Sequence, residues 1–575
     1  MPQLEMETGR DGAPRKEAEG HWLNAEEPAP ASVVTPWVEK LSQRRPWGWA
    51  ANAVLVALII SVPPMAILFG VGARNSASAV WIGATNALRL GPATAHDDRR
   101  LGGLLADGFD EGACHSRFQS ATYRRNARKK PSPYLVTKLR QQEALQRRCG
   151  PGTAAYSNAL EQLRAGKKQS HTGGECRYLV SISYQGLGNR ILAATSAFLY
   201  AMLTDRVLLV DPSNQMGDLF CEPFPDTTWL LAQASFPLTN YSSFNIDTAE
   251  SYANMLKNKV IGTNDNEASS TMRPAFAYIH LNHDASDQDK LFFCDEDQRN
   301  LRDFQWLVMR TDNYIVPGLF LITAFQEELD MLFPEPDTVF HHLGRYLFHP
   351  NNNVWGLITR YYDAYLATAH QRVGIQVRVF GKDKESPKLL EQITTCTQKD
   401  NLLPELGEPT DPVNRPAARK STKAVLVTSL KAWYYEKLKS MYWEHSTVTG
   451  EAVSLHQPSH EEYQQFAAKS HDAKAWAEIY LLSLSDALVT TGLSTFGYVA
   501  QGLGGLTPWV MYKPANGSVV PNPPCGQDVS MEPCFLQPAF YDCRTKQAAD
   551  VSKIVPHVQR CNDTRWGLKL VPRSV

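Results

Sequence analysis

The chain has 575 residues, of which 43% are apolar, 10% aromatic and 20% charged, a globular composition spread over two or three domains. With 58 basic and 59 acidic residues the net charge is −1, which excludes the basic surplus that a nucleic-acid partner requires. A mean hydropathy of −0.33 excludes a multi-span membrane protein.

Residues 1–46 are polar, rich in Glu, Pro and Ala, and read as a cytosolic tail. From Trp47 to Ala73 there is no Asp, Glu, Lys or Arg. That is long enough for one helix across a hydrocarbon core, which takes roughly 20 apolar residues. Pro63 and Pro64 kink or shorten the span. The rival reading is a cleaved signal peptide, which starts nearer the first residue and has a shorter apolar region. Lys40, Arg44 and Arg45 precede the run, and only Arg74 follows it closely. The positive-inside rule therefore leaves the N-terminus in the cytosol and the rest of the chain across the membrane. The expectation is a single transmembrane signal anchor over 47–73, of type II orientation, followed by a stem over 74–103.

All ten cysteines lie beyond the span, and an even number in an oxidising lumen favours disulfides. The group from Cys525 to Cys561 lacks the short paired spacing of a zinc knuckle, so disulfides are preferred to a metal there. Three sequons beyond the span, at Asn240, Asn516 and Asn562, agree with a secretory route.

The folded part begins near Leu104, with a basic helical stretch over Tyr134–Leu163. The charge run from Arg124 to Lys130 reads as a solvated face, and Glu405–Lys423 as an exposed loop. Tyr178–Ser183 is a β-branched run that meets the turn Tyr184-Gln-Gly-Leu-Gly-Asn-Arg190, then an apolar helix over Ile191–Met202 and a strand over Val207–Val210. This is a βαβ unit. In a second block Val373, Ile375, Val377 and Val379 alternate with polar residues at strand periodicity. Ala424–Ser429, Ala487–Thr491 and Trp509–Tyr512 read as further strands, and Ala473–Ser485 and Ser494–Leu503 as helices. Two such blocks predict two α/β domains with a cleft between them.

Gly186-Leu-Gly188 is neither a dinucleotide fingerprint, because Ile191 stands where the third glycine belongs, nor a phosphate loop. A tight turn needing glycines for its backbone is one reading. The other is functional: Asn189 and Arg190 bring strong donors to a helix N-terminus, which favours an anion. Arg378, near the carboxyl end of a buried strand, must be paired or satisfied by a ligand. Ser494-Thr495-Phe496 opens a helix after a strand, suiting either a phosphate or simple capping. Asp312 is either a capping residue or a ligand of a substrate hydroxyl. Asp287/Asp289 and Asp295/Asp297 imitate a D-x-D metal motif, His341 and His342 lack zinc spacing, and no nucleophile elbow is present.

The strings LLADGFDEGAC (104–114), GLGNRILAATSAFLYAMLTDRVLLVD (186–211), KLFFCDEDQ (290–298), RTDNY (310–314), VGIQVRVF (373–380) and the long segment 477–514 resemble the plant xyloglucan-type fucosyltransferases, glycosyltransferase family 37. The resemblance runs from about Leu104 to Leu570. It implies a GT-B-like fold of two Rossmann-like, doubly wound domains: an acceptor-side domain over 104–365 and a nucleotide-sugar domain over 366–575 with a Cys-rich tail. It implies an inverting enzyme of the Golgi membrane with its catalytic part lumenal. That enzyme would move L-fucose from GDP-fucose to O2 of a terminal galactose on cell-wall xyloglucan. Arabinogalactan-protein glycans are the alternative acceptor, and a non-catalytic carbohydrate-binding protein is the alternative class. By the same resemblance Arg378 binds the GDP phosphates, Asp312 is a candidate base acting directly or through water, and Asn189 and Arg190 face the cleft. Ser494, Thr495 and Phe496 form the nucleotide loop, no metal or other cofactor is needed, and a homodimer is left open. Thr491 and Leu493 depart from relatives, which often carry serine and tryptophan there.

Overall fold

The computed structural model describes residues 100–573 apart from 125–128, 167–175, 262–273, 380–384, 409–420, 466–467, 514–518 and 546. The tail, the 47–73 anchor, the stem up to residue 99, the Asn516 sequon and Phe380 lie outside the described residues, as do most of the 405–423 loop and part of the 124–130 run. Among the described residues no helix is long and apolar enough to cross a membrane.

Four strands, β1 (Tyr178–Ile182), β2 (Val207–Val210), β3 (Phe276–His280) and β4 (Trp306–Arg310), form a parallel sheet in the order β2-β1-β4-β3. All their residues except Arg310 are buried, because layers cover both faces, and so the strands are apolar runs rather than alternating ones. Helix α1 (Pro133–Cys149) starts at a Ser132 cap and protects the β2 edge. Its Gln146 amide both donates to Leu208 O (3.1 Å) and accepts from Leu208 N (2.7 Å), replacing a neighbouring strand. Helix α2 (Leu187–Leu203) is buried all round except at Asn189, because it packs against the first sheet, against α3 (Val339–Leu347) and against helices of the second lobe.

The second sheet joins β5 (Gln371–Gln376), β6 (Thr422–Thr428), β7 (Ala452–His456), β8 (Ala487–Thr491), β9 (Trp509–Met511) and β10 (Cys525–Gln527) in the order β10-β9-β8-β5-β6-β7. Only β10 runs antiparallel to its neighbour. Helices α4 (Ala432–Glu444), α5 (Lys469–Leu482) and α6 (Thr495–Gly504) complete this lobe. The strand expected to reach Val379 stops at Gln376, where the backbone turns: Val377 N still reaches Thr428 O, but Arg378 N goes to the Thr491 hydroxyl.

Past β10 the chain returns to the first lobe. There Glu532 accepts from Tyr314 Oη (2.6 Å) and Phe340 N (2.7 Å), and Asn313 donates to Gln537 (2.8 Å). Two ribbons follow, β11 (Tyr541–Asp542) with β12 (Gln547–Ala548), and β13 (Val558–Arg560) with β14 (Leu568–Leu570). All ten cysteines are paired: Cys114–Cys221, Cys149–Cys176, Cys294–Cys543, Cys396–Cys525 and Cys534–Cys561. The C-terminal cysteines are therefore disulfides and not metal ligands.

Candidate active site

In the second sheet the winding reverses once, between β5 and β8; in the first, β1 leads outward to β2 while β4 is entered from β3 on the other side, so the neighbours β1 and β4 part there. Ligands of open α/β sheets bind beyond the carboxyl ends of strands at such points. The segments leaving those four strands are Ser183–Asn189, Thr311–Asn313, Val377–Val379 and Gly492–Phe496. All seven residues singled out from the sequence (Asn189, Arg190, Asp312, Arg378, Ser494, Thr495 and Phe496) fall on or next to these segments.

Asp312 is half-buried and does not cap a helix. Its Oδ1 accepts from Ser183 Oγ (2.6 Å), Tyr184 N (3.1 Å) and Gln185 N (3.4 Å), so the turn after β1 fixes the carboxylate from three sides. Its own N–H donates to Asn282 Oδ1 (2.9 Å). Oδ2 has no hydrogen-bond partner among the described residues, which leaves one basic oxygen available.

Asn189 bridges the lobes: Nδ2 donates to Asp312 O (2.8 Å), and Oδ1 accepts from Thr495 Oγ1 (2.9 Å). Arg190 is directed elsewhere than expected of a phosphate donor. It is 5% exposed, and its Nη2 pairs with Asp472 of α5 (2.7 Å) while Nε donates to Gln185 O (3.1 Å). A buried pair of this kind ties the lobes together at the cavity itself, whose wall includes Asp472. The glycines also act differently from the backbone reading, since neither Gly186 nor Gly188 has a positive φ. A Cβ on Gly188 would stand 2.8 Å from the Thr495 carbonyl carbon and 2.9 Å from its oxygen, so close approach of the two lobes is what demands glycine there.

Between the lobes lies a cavity of about 550 Å³. Gln185–Asn189 line one side, and Gln376–Val379, Thr428–Lys431, Ser459, Glu461–Gln464 and Leu493–Phe496 line the other. Arg378 is half-buried on this wall, with Nη2 3.3 Å from the neutral Gln464 Oε1. Burial lowers its pKa, so a ligand that brings negative charge is favoured. Ser494 occupies the N-cap position of α6 yet makes no side-chain capping bond, and its residue lines the cavity. Simple capping is thereby set aside for this hydroxyl.

Sequence reasoning named none of the acids on the far wall. Glu461 bonds His471 (3.1 Å) and Lys474, and Glu462 bonds Lys431 (2.8 Å) and Ala432 N (3.1 Å). Glu478 is buried, accepts from the Ser459 hydroxyl, and is pushed up to about 7 by burial, with Ser459 opposing. The legible signal was Glu478 itself, a carboxylate inside an apolar helical stretch; the 459–464 loop carried none.

The D-x-D pairs have local work. Asp289 completes a capping box with Ser286, and Asp287 pairs with Lys290 (2.7 Å). Asp297 accepts from Tyr252 Oη (2.7 Å), and Asp295 accepts from Ala324 N (2.7 Å). His341 is buried between Gly502 O (2.9 Å) and Arg345 Nη1 (3.0 Å), so both of its ring nitrogens are engaged within the protein.

The profile of the xyloglucan fucosyltransferase family matches residues 75–544. A Pisum sativum protein named galactoside 2-alpha-L-fucosyltransferase is 52% identical over 477 residues, covering 83% of this chain and 82% of the relative. Its Arabidopsis thaliana namesake is 54% identical over 483 residues, covering 83% and 84%. A structure of a mutant of Arabidopsis thaliana FUT1 in complex with GDP superposes with a TM-score of 0.76 at 52% identity, covering 82% of this chain and 100% of that one.

Proposed function

The chain belongs to the xyloglucan fucosyltransferase family, and from that premise we propose how its cleft works as a galactoside 2-alpha-L-fucosyltransferase of GT-B-like fold. The donor is GDP-fucose and the acceptor a terminal galactose on xyloglucan. The observation that carries this reading is the facing of two crevices at strand carboxyl ends, one between β5 and β8 and one between β1 and β4. Arg378 and the Ser494–Thr495 turn stand at one, Asp312 stands at the other, and Asn189 joins them.

In this reading the GDP phosphates lie against Arg378 and the Ser494–Phe496 turn. The galactose O2 attacks the fucose anomeric carbon, whose bond to the phosphate oxygen breaks with inversion, and the electron pair leaves on GDP. Asp312 Oδ2 takes the O2 proton, directly or through one water. The fixed guanidinium of Arg378 receives the charge that develops on the leaving group. Metal independence is supported by the local engagement of the four D-x-D carboxylates. Transfer should therefore persist in EDTA, and loss restored by Mn²⁺ would refute that part.

A type II Golgi anchor over 47–73 is supported by the uncharged run, by its flanking charges and by five disulfides, which suit an oxidising compartment. The test of function is GDP release by the full chain in detergent with galactose-terminated xyloglucan and with an arabinogalactan glycan. Release with xyloglucan supports the assignment. Release with neither glycan would sink it and leave a carbohydrate-binding protein.

A further inference from the structure

The turn that opens α6 is held in an unusual conformation by a residue far away in sequence. Leu493 has φ +63°, a left-handed conformation that side chains with a Cβ adopt rarely. Its N–H donates to Asp563 Oδ2 (2.9 Å), and the same oxygen accepts the Tyr498 hydroxyl from the first turns of α6. The preceding Gly492 is packed so tightly that a Cβ would stand 3.0 Å from the Asp563 Cβ. Asp563 lies in the C-terminal tail, two residues after Cys561, whose disulfide to Cys534 anchors that tail.

Ser494 would ordinarily cap this helix with its own side chain, and it does not. The carboxylate of Asp563 takes over the anchoring from outside, which leaves the Ser494 hydroxyl on the cavity wall. We propose that Asp563 is a positioning residue for the donor nucleotide, holding the 492–495 turn in its binding conformation through Leu493. This inference rests on the assignment of that turn to GDP-fucose.

The experiment measures GDP affinity and the separate KM values for GDP-fucose and acceptor, on the full chain in detergent, together with a thermal unfolding midpoint. Asp563→Ala is expected to weaken GDP binding and raise the GDP-fucose KM by ten-fold or more while the acceptor KM stays put. Asp563→Asn, which keeps an acceptor oxygen for Leu493, should lose less than Asp563→Ala. Tyr498→Phe, which leaves the Leu493 bond intact, should shift GDP affinity less than three-fold. Glycine adopts positive φ without strain. The loss caused by Asp563→Ala should therefore shrink several-fold when measured against a Leu493→Gly background. A folded Asp563→Ala chain with unchanged GDP affinity overturns the proposal, as does an equal loss in both backgrounds. Should Asp563→Ala fail to fold, the Asp563→Asn and Tyr498→Phe affinities decide, because both keep the Leu493 bond: a loss of ten-fold or more in the former, or of three-fold or more in the latter, overturns it. Arg378→Ala separates the two readings. If it weakens GDP while Asp563→Ala does not, only the positioning role falls. If neither it nor Thr495→Ala matters, the nucleotide assignment of the turn falls first.

Discussion

Asp312 offers one carboxylate oxygen to three donors and keeps the other open, and substitutions can exploit that asymmetry. Asp312→Asn retains an acceptor for Ser183, Tyr184 and Gln185 but removes the proposed base, so folding and GDP affinity should persist. Turnover should fall by about 10²–10⁴, the usual contribution of a positioned acid or base. An unchanged kcat would take Asp312 out of the chemistry. Arg378→Ala removes the cation proposed to face the leaving group and should cost about 10²–10³ in kcat, with a raised GDP-fucose KM. Activity within two-fold of the parent would place the phosphates elsewhere. Glu478 supplies a pH signature of stability. Its folded pKa of about 7 lies above the ordinary value of 4.5, so the folded state holds the proton more tightly. Its contribution is complete below about 4.5 and is lost as pH rises through 7. Compared with Glu478→Gln, the parent's unfolding midpoint should fall progressively over that window; a constant difference would contradict the buried, protonated acid.

Among elements, α2 decides how closely the lobes meet. Gly188 touches the Thr495 backbone, whereas a Cβ at Gly186 would meet only the flexible end of Gln464 at 3.4 Å. Gly188→Ala should therefore lower activity at least ten-fold and depress the unfolding midpoint, while Gly186→Ala should be nearly silent. Equal effects would show that the turn conformation, and not the approach, sets the requirement. The βαβ unit around α2 and the strands of the second lobe were legible in the sequence, because buried parallel strands are uninterrupted apolar runs bounded by turns. The Arg190–Asp472 pair was not, since the partners are 282 residues apart and nothing local in either marks the other. The same holds for the cradle of Asp312, built from one serine hydroxyl 129 residues away and two backbone N–H groups of a kind nearly every residue carries. Ser494 was legible as a cap position, which it holds, but the anchor of its turn comes from Asp563, which nothing local in the sequence marks.

The whole molecule is closed by its own C-terminus, which crosses from the second lobe back to the first. The Cys294–Cys543 bond spans 249 residues, and a loop that long implies about 5 kcal/mol of unfolded-state entropy in the chain-entropy description. Cys543→Ser should leave the second sheet intact and make the 535–573 segment cleavable under limited proteolysis. Resistance equal to the parent's would mean that Glu532, Gln537 and the ribbons hold the tail without the bond.

That return also orders events during synthesis. Cys294 leaves the ribosome long before its partner, and at about 5–20 residues per second the wait is roughly 12–50 s. Throughout it the first lobe lacks β13, β14 and the Glu532 carboxylate beneath Tyr314, so it cannot finish folding ahead of the second lobe. A prematurely terminated chain would thus damage the half of the enzyme made first, and the thiol at Cys294 would remain open to mispairing until the last segment arrives.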